Sequence, residues 1–230
     1  MPGLFEYCIW LVCTLLEGAV VVCAVKSHSL RKYIFLNLYM ALSFVVSVGR
    51  YQVLRHYGMH EEYAYFYYYS DALLTIGLYF AILNLYSHVF EEMKVERYLR
   101  FGAAFLLGAT AVFSYAVVNQ SQHRILSHFG YELSQNLYFV GLVLTYLLWG
   151  AILKMRETRA RLIQLVLALG VYFSAFAANY ALQNLYPQVG GLHYLTPVLG
   201  CVLPAAWGYC FLRVSEEARM APSRLAAVPR

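Results

Sequence analysis

Charge is scarce in this chain, and its scarcity excludes a soluble globular domain. Charged residues make up 13% of the 230 positions, hydrophobic residues make up 61%, and the mean hydropathy is +0.56. Soluble domains carry about twice that share of charge. Seven apolar segments, each near the roughly 20 residues that a transmembrane helix needs, occupy most of the chain. They leave no room for a soluble catalytic domain, so we predict a polytopic membrane protein with no nucleic-acid partner.

The chain also lacks the motifs of common catalytic and cofactor sites. It contains no GxSxG, no HExxH, no phosphate-binding loop and no CxxCH. Its last apolar segment has no lysine, which excludes a retinal Schiff base there. The five cysteines lie in apolar segments without a CxxC pair, so we interpret them as small buried residues. We therefore expect no enzyme, no metal site and no cofactor.

Positive charge is confined to a few places. Of the 17 Lys and Arg residues, only Arg50, Arg55 and Arg124 lie outside four short stretches. These stretches follow every second apolar segment and are residues 26–32, 94–100, 154–161 and 213–230. Cytoplasmic loops are enriched in Lys and Arg, so the pattern predicts an external N-terminus and a short basic cytoplasmic tail at 214–230. We expect contact with anionic lipid on the cytoplasmic side, in a bacterial inner membrane.

The apolar runs are long and continuous, which favours helices over the roughly ten-residue alternating strands of a barrel. We place the helices at about 4–25, 33–54, 64–90, 99–118, 132–153, 161–183 and 192–213. The predicted fold is all-α, a single bundle of seven transmembrane helices over residues 1–230. A weak similarity between residues 15–20 and 147–152 suggests that helices 1–3 and 5–7 are parallel repeats joined by helix 4.

Three ionisable side chains lie within the predicted spans, where a charge is costly unless it meets a partner or water. They are Glu17, Arg50 and Asp71. At a rise of about 1.5 Å per residue, Arg50 and Asp71 lie at similar outer depth on consecutive antiparallel helices. We predict an ion pair that either pins these helices together or lines an outward-facing pocket. Arg50 could instead extend to the interface and remain unpaired.

Glu17 lies deeper, toward the cytoplasmic end of its helix, with no basic residue at its depth. Its nearest partners by depth are Asn84 and Asn37. A carboxylate in a dry site tends to be neutral. Glu17 is therefore either a proton-coupling or amine-binding group, or a protonated side chain bonded to a neighbour.

Aromatic and polar residues at the depth of Arg50 complete a predicted vestibule. Tyrosine is the compositional outlier, with 22 residues, and aromatic residues occupy every position from 65 to 69. This run covers more than one helical turn, so part of it points inward beside Asp71. Aromatic walls with a few polar groups suit an amphipathic small molecule, although simple packing explains them too. The predicted ligand-binding residues are Arg50, Asp71, Tyr68, Asn136, Asn179 and Tyr180.

Three functions fit these observations. The leading prediction is binding or transport of a small amphipathic molecule, with Glu17 as the proton-coupling residue. The second is a non-catalytic subunit that packs with other membrane subunits. The third is a haem-binding electron-transfer bundle, because histidines occupy both predicted sides. They are His28 and His88 on the cytoplasmic side, and His56, His60, His123, His128 and His193 on the outer side.

Overall fold

The structure is a computed structural model that describes residues 4–27, 30–58, 60–90, 96–120, 125–154, 157–186 and 195–217. This part of the chain contains seven helices and no strands. They are α1 (Leu4–Lys26), α2 (Ile34–Tyr57), α3 (Glu61–Val89), α4 (Glu96–Gln120), α5 (Ile125–Lys154), α6 (Ala160–Leu185) and α7 (Leu195–Arg213). The all-helical prediction is confirmed, and each predicted span overlaps one helix. Most of the predicted tail, residues 218–230, lies outside the described residues.

Several helix boundaries differ from the prediction by about three residues, and that of α5 differs most. α5 begins at Ile125 rather than near 132, so the predicted outer loop is shorter. α3 starts at Glu61 and ends at Val89, with Phe90 as its C-cap. The apolar window that defines a span cannot locate a helix that extends beyond it into polar sequence.

Among the described residues, six helices are long and apolar enough to cross a membrane. In α4 the described residues provide a shorter apolar stretch, Phe105–Ala116. Large apolar side chains cover the outer surface of the bundle; Leu15, Val45 and Leu147 are each more than 60% exposed, at 62%, 63% and 61%. A water-soluble protein of this size would not leave so many apolar side chains uncovered. The bundle is therefore compatible with a membrane protein.

Six of the helices form a ring, and α4 lies outside it. The order of neighbours is α1, α2, α3, α5, α6 and α7, and α7 packs again on α1. α4 packs mainly against α5 and touches α3 less. Fully buried side chains fill the ring, and they include Leu36, Leu78, Ile82, Leu165 and Trp207. The glycine at 141 is needed for this packing, because a Cβ there would collide with the ring of Phe173.

The neighbours α3 and α5 run parallel. Early in both helices Asp71 faces Ser134, and later the Tyr86 hydroxyl donates a hydrogen bond to the Leu144 carbonyl at 2.5 Å. Two parallel neighbours cannot be joined by a short turn, so the connecting chain must return along the length of the bundle. α4 is the only described helix between them in sequence, and it provides that return.

The neighbours α1 and α7 also run parallel. Cys201 Sγ contacts the Ile9 carbonyl at 3.8 Å, and farther along both helices Gly208 faces Val20. Together with the α3 and α5 contact, this is the arrangement expected of two three-helix repeats related by a twofold axis. The two similar segments that suggested the repeat, 15–20 and 147–152, nevertheless do not occupy equivalent positions in their helices. Gly18 lies about two turns before the end of α1, whereas its counterpart in α5 lies about one turn before the end.

One end of the ring is tied by a group of residues that we call the Glu216 cluster. It comprises Lys32, Tyr33, Arg161, Val214 and Glu216. The Glu216 carboxylate accepts hydrogen bonds from Lys32 Nζ at 2.5 Å, from Arg161 Nη1 at 3.0 Å and from the Tyr33 hydroxyl at 3.3 Å. Arg161 also donates from Nε to the Val214 carbonyl at 2.8 Å. The cluster therefore joins the start of α2, the start of α6 and the end of α7.

The charges of this cluster determine the acidity of its carboxylate. Burial alone would raise the pKa of Glu216. The hydrogen bond and charge of Lys32, together with the charge of Arg161, outweigh that effect and lower the pKa below its usual 4.5. Glu216 is therefore ionised at neutral pH, and its bonds to both cations are charge-assisted.

Candidate functional site

The ionisable side chains of the first three helices lie along one face of α2. Ser43, Ser47 and Arg50 are spaced i, i+4 and i+7, so their side chains lie in one stripe. The Ser43 end of this stripe contacts α1, and the Arg50 end contacts α3. The stripe therefore links the three ionisable residues of the spans into one row.

Glu17 is bonded to the near end of the stripe. Ser43 Oγ donates to Glu17 Oε1 at 2.5 Å, and Ser47 Oγ donates to Oε2 at 2.9 Å. Glu17 is only 6% exposed. The prediction that Asn37 or Asn84 is the partner of Glu17 is wrong, because neither bonds to Glu17 within the described part of the chain. Depth alone does not tell which face of a helix a side chain occupies.

Arg50 and Asp71 lie together, as predicted. Arg50 Nη2 is 3.8 Å from Asp71 Oδ1, which is an ion-pair distance but longer than a hydrogen bond. The hydrogen bonds of Arg50 go elsewhere: Nε donates to Ser70 Oγ at 2.8 Å and Nη2 to the Tyr67 carbonyl at 3.2 Å. The guanidinium also lies 4.1 Å from the centre of the Tyr67 ring, at cation–π distance. The side chains of Arg50 and Asp71 remain 17% and 22% exposed.

On its other side Asp71 faces α5. Ser134 lies beside the carboxylate, yet its buried hydroxyl forms no hydrogen bond of standard geometry with any described residue. Buried hydroxyls in proteins usually have a partner. Asp71 is therefore placed between Arg50 on α2 and Ser134 on α5, and both contacts are looser than a hydrogen bond of standard geometry.

A wall of aromatic side chains borders this region. Tyr138 of α5 stacks on Phe176 of α6 with ring centres 5.0 Å apart, and it packs against Tyr180 at 5.5 Å. Its hydroxyl lies 3.5 Å from that of Tyr172, which also interacts with the hydroxyl of Tyr39 on α2. Tyr180, a predicted site residue, belongs to this wall. Three helices thus place tyrosine hydroxyls in the middle of the ring.

Tyr68 occupies a different position from the one predicted. It is half-buried and packs edge-on against Tyr67, with ring centres 5.8 Å apart. The neighbouring residue, Tyr67, is the one that lies under the guanidinium of Arg50. Consecutive helix positions point about 100° apart, so a run of tyrosines does not reveal which member faces inward.

The structure separates two further predicted residues from the ion pair. Asn136 Nδ2 donates to Ser114 Oγ at 3.0 Å, so its side chain faces α4, outside the ring. Asn179 Nδ2 donates to Thr196 Oγ1 at 3.0 Å and joins α6 to α7. Both amides connect helices, which is a common role of amides in membrane bundles.

Several residues around the ion pair were not predicted. Ser70, Ser134 and Tyr138 lie beside Arg50 or Asp71, but a single hydroxyl residue in an apolar helix gives no distinctive signal. The stripe on α2 did give a signal in the sequence, because the hydroxyl residues Ser43 and Ser47, at i and i+4, precede the charged residue Arg50 at i+7.

The histidines do not identify a metal or haem site. His88 Nδ1 lies 3.0 Å from the Asn84 carbonyl, and the ring stacks on Tyr33 at 5.4 Å. His28, His123 and His193 lie outside the described residues. Among the residues that are described, no group of three or more His, Cys, Asp or Glu side chains could hold a metal ion.

The geometry brings one guanidinium, two carboxylates and an aromatic wall into the same part of the ring. Such a set can bind a charged group by ion pairing and an aromatic group by stacking. No protein-family model, curated protein or solved structure matches the chain at a significant level.

Proposed function

We propose that the protein binds or transports a small amphipathic molecule inside the ring, beside Arg50 and Asp71. The observation that carries this proposal is the open state of the ion pair. Its atoms are 3.8 Å apart, and both side chains keep part of their surface exposed. A pair that served only to join two helices would be favoured at the shorter distance of a charge-assisted hydrogen bond.

The surrounding groups indicate the chemistry of the ligand. Glu17, Arg50 and Asp71 together carry one more acidic group than basic groups, which favours a ligand with an amine. The ring of Tyr67 and the wall around Tyr138 would pack against the apolar part of that ligand. We include Tyr180 in the site as a wall residue, and we place Asn136 and Asn179 outside it.

Glu17 is suited to proton coupling by the nature of its partners. Both of its hydrogen bonds come from serine hydroxyls. A hydroxyl donates to an ionised carboxylate and accepts from a protonated one. The Ser43 and Ser47 side chains can therefore serve either protonation state without a change of partner, and binding of a cation nearby would favour the ionised state.

The first test is a ligand screen by thermal stability with a panel of small aromatic amines. A true ligand at about 100 times its Kd should stabilise the wild-type protein by about 2.7 kcal/mol. Asp71→Asn should abolish this gain. Asn136→Ala is the matched control, because it removes a polar group from a span outside the site. A ligand that stabilises Asp71→Asn as much as wild type would exclude this site.

The second test is a double-mutant cycle on ligand-free protein with Arg50→Ala, Asp71→Ala and the double variant. Polar pairs in membrane bundles couple by about 0.6 kcal/mol on average, and we expect no more for so long a contact. If the double variant instead regains the stability that each single variant loses, the pair is structural and the proposed site is wrong.

The proposed topology has seven crossings, an external N-terminus and a cytoplasmic C-terminus, in a bacterial inner membrane. The distribution of Lys and Arg supports the orientation. The parallel course of α3 and α5 supports a crossing by α4, which spans about 37 Å at 1.5 Å per residue. Reporter fusions after Lys94 and after Arg230 test this: both should report the cytoplasm, and a periplasmic signal from either refutes it.

A role as a subunit of a larger membrane complex, with other membrane subunits as partners, is the second proposal. The face of α4 favours it, since Phe101, Phe105 and Val112 on this peripheral helix are 78%, 69% and 69% exposed. Mass measurement after mild detergent extraction tests it, because a monomer without co-purifying protein excludes this role. An absorption spectrum of the same preparation tests the haem alternative, for which the histidines are the only support.

A further inference from the structure

A cavity lies on the outside of the ring, in the cleft between α5 and α6. Its volume is about 740 Å³, within the roughly 300–1,000 Å³ of small-molecule pockets. Both helices belong to the six that can cross a membrane. The lining is mostly apolar and includes Tyr146, Trp149, Leu153, Leu167 and Val171. Several of these side chains are exposed on the bundle surface, so the cleft opens toward the lipid.

Two glycines shape this cleft. A Cβ at Gly150 would meet no atom within 4 Å, so this position is an open part of the floor. A Cβ at Gly170 would lie 3.3 Å from Thr145 Cγ2 and 3.5 Å from Trp149 Nε1, so the glycine there lets α5 and α6 approach closely. A larger residue at 150 would therefore fill the cleft without disturbing the packing behind it.

The cleft contains one unused hydrogen-bond donor. The hydroxyls of Thr145, Tyr146 and Ser174 all have partners. Trp149 Nε1 has none among the residues that the structure describes. An indole N–H facing hydrocarbon without an acceptor is costly, so the occupant of the cleft should supply an acceptor at this depth.

A cation lies at the mouth of the cleft. Tyr146, Gly150 and Lys154 are four residues apart, so they share one face of α5. Lys154 is exposed and lies in the last turn of the helix. Trp149 is about 7 Å deeper than Lys154 at 1.5 Å per residue. That separation matches the roughly 5–7 Å thickness of the headgroup region on one side of a bilayer.

The length of the cleft fits a single leaflet. From Thr145 to Leu153 it extends about 12 Å along α5. One leaflet contributes about half of the roughly 30 Å hydrocarbon core. One lipid therefore covers the whole cleft, with its acyl chain along the part from Thr145 to Trp149 and its glycerol and headgroup between Gly150 and Lys154.

We propose that the cleft binds one anionic phospholipid from the leaflet on the Lys154 side. Its glycerol region lies over Gly150, and one acyl chain extends from there between α5 and α6 toward Thr145. An ester carbonyl accepts a hydrogen bond from Trp149 Nε1, and the phosphate contacts Lys154. This lipid site is separate from the Arg50 and Asp71 region and does not depend on the function proposed for that region.

Fluorescence quenching by brominated lipid tests the proposal, because bromine on an acyl chain quenches a tryptophan only at contact. The full chain is placed in phosphatidylcholine vesicles with increasing fractions of brominated phosphatidylglycerol or brominated phosphatidylcholine. The difference between wild type and Trp149→Phe isolates the signal of Trp149. The anionic lipid should reach half-maximal quenching at an about fivefold lower fraction, the preference expected from one cation near the membrane surface.

Three variants test whether the preference for anionic lipid arises in the cleft. Gly150→Leu should remove the preference by filling the floor. Gly108→Leu is its matched control on α4, where a Cβ also meets no atom within 4 Å, and it should retain the preference. Lys154→Gln should make the two lipids equivalent while contact persists.

Two results would overturn the lipid site. The first is equal quenching by both lipids in the wild-type protein, and the second is a preference that survives Gly150→Leu. If Gly150→Leu does not yield folded protein, Lys154→Gln decides alone, since an unchanged preference then refutes the site.

Discussion

The Glu216 cluster and the Arg50 region arrange their charges in opposite ways. Arg161 is 6% exposed and reaches Glu216 at 3.0 Å, and it also bonds to the Val214 carbonyl. Arg50 stays 3.8 Å from Asp71, and both side chains remain partly exposed. The carboxylate of the first group accepts hydrogen bonds from both of its cations, whereas the ion pair of the second group is longer than a hydrogen bond. The first arrangement ties one end of the bundle, and the second is the region in which we propose a ligand site.

The two regions also differ in how far their partners lie apart in the sequence. Arg50 and Asp71 belong to consecutive helices, which pack together in most bundles. Lys32 and Glu216 are 184 positions apart, and Arg161 and Glu216 are 55 apart. The packing of consecutive helices can be expected from the chain order, but the Glu216 cluster requires the ring to close.

The largest loss of stability should come from the closed cluster. Arg161→Met removes a buried guanidinium, leaves the Val214 carbonyl without its side-chain donor and leaves Glu216 with its donors Lys32 and Tyr33. We expect the free energy of unfolding to fall by about 2–4 kcal/mol, measured by thermal unfolding in detergent.

Arg213→Met is the control for this variant. Arg213 is an exposed basic residue at the end of α7, and its loss should change stability by less than about 0.5 kcal/mol. Equal effects of the two variants would show that the cluster contributes no more than general surface charge.

An intermediate effect should come from Glu17, at the other end of the α2 stripe from Arg50. Glu17→Ala leaves the hydroxyls of Ser43 and Ser47 without their acceptor and should cost about 1–3 kcal/mol. Glu17→Gln keeps an acceptor of similar size and should cost clearly less in the same unfolding assay. If the two variants lose the same stability, the charge of Glu17 rather than its hydrogen bonds is what matters.

The smallest effect should be the acid sensitivity of the cluster. The pKa of Glu216 is lowered in the folded protein. Its stabilising contribution is therefore complete above the unfolded value near 4.5 and is lost as pH falls through the lower folded value. Because the pair of Lys32 and Glu216 is about one-third exposed, we expect the loss of unfolding free energy between pH 7 and pH 3 to be less than about 1 kcal/mol.

Comparison with Glu216→Gln isolates that effect, because this variant should be less stable at neutral pH and lose less on acidification than wild type. Glu157, whose pKa is lowered from 4.5 to about 2 by its hydrogen bond to Arg159, also loses part of its contribution between about pH 4.5 and pH 3. That loss is the same in both proteins and cancels in the comparison. An identical pH profile for wild type and Glu216→Gln would contradict the assignment.

The level of a residue along its helix axis could be predicted from the sequence. The direction in which its side chain points around that axis could not. The ion pair of Arg50 and Asp71 was predicted because rise per residue places them at one level. Asn136 lies at a similar level, but it faces α4 and bonds to Ser114. Glu17 likewise bonds to Ser43 rather than to the asparagines expected. Direction depends on which helices become neighbours, and that is a tertiary property.

The amino-acid sequence by itself determined the number, length and approximate ends of the helices, since hydrocarbon demands long apolar segments with internally bonded backbones. It also contains the asymmetry of Lys and Arg on which our proposed orientation depends. Only the tertiary structure decided that six helices close a ring with α4 outside, that serines bond Glu17 and that Glu216 ties three elements together. The reason is geometric: sequence specifies position along each helix axis, but packing between helices sets the direction in which each side chain points.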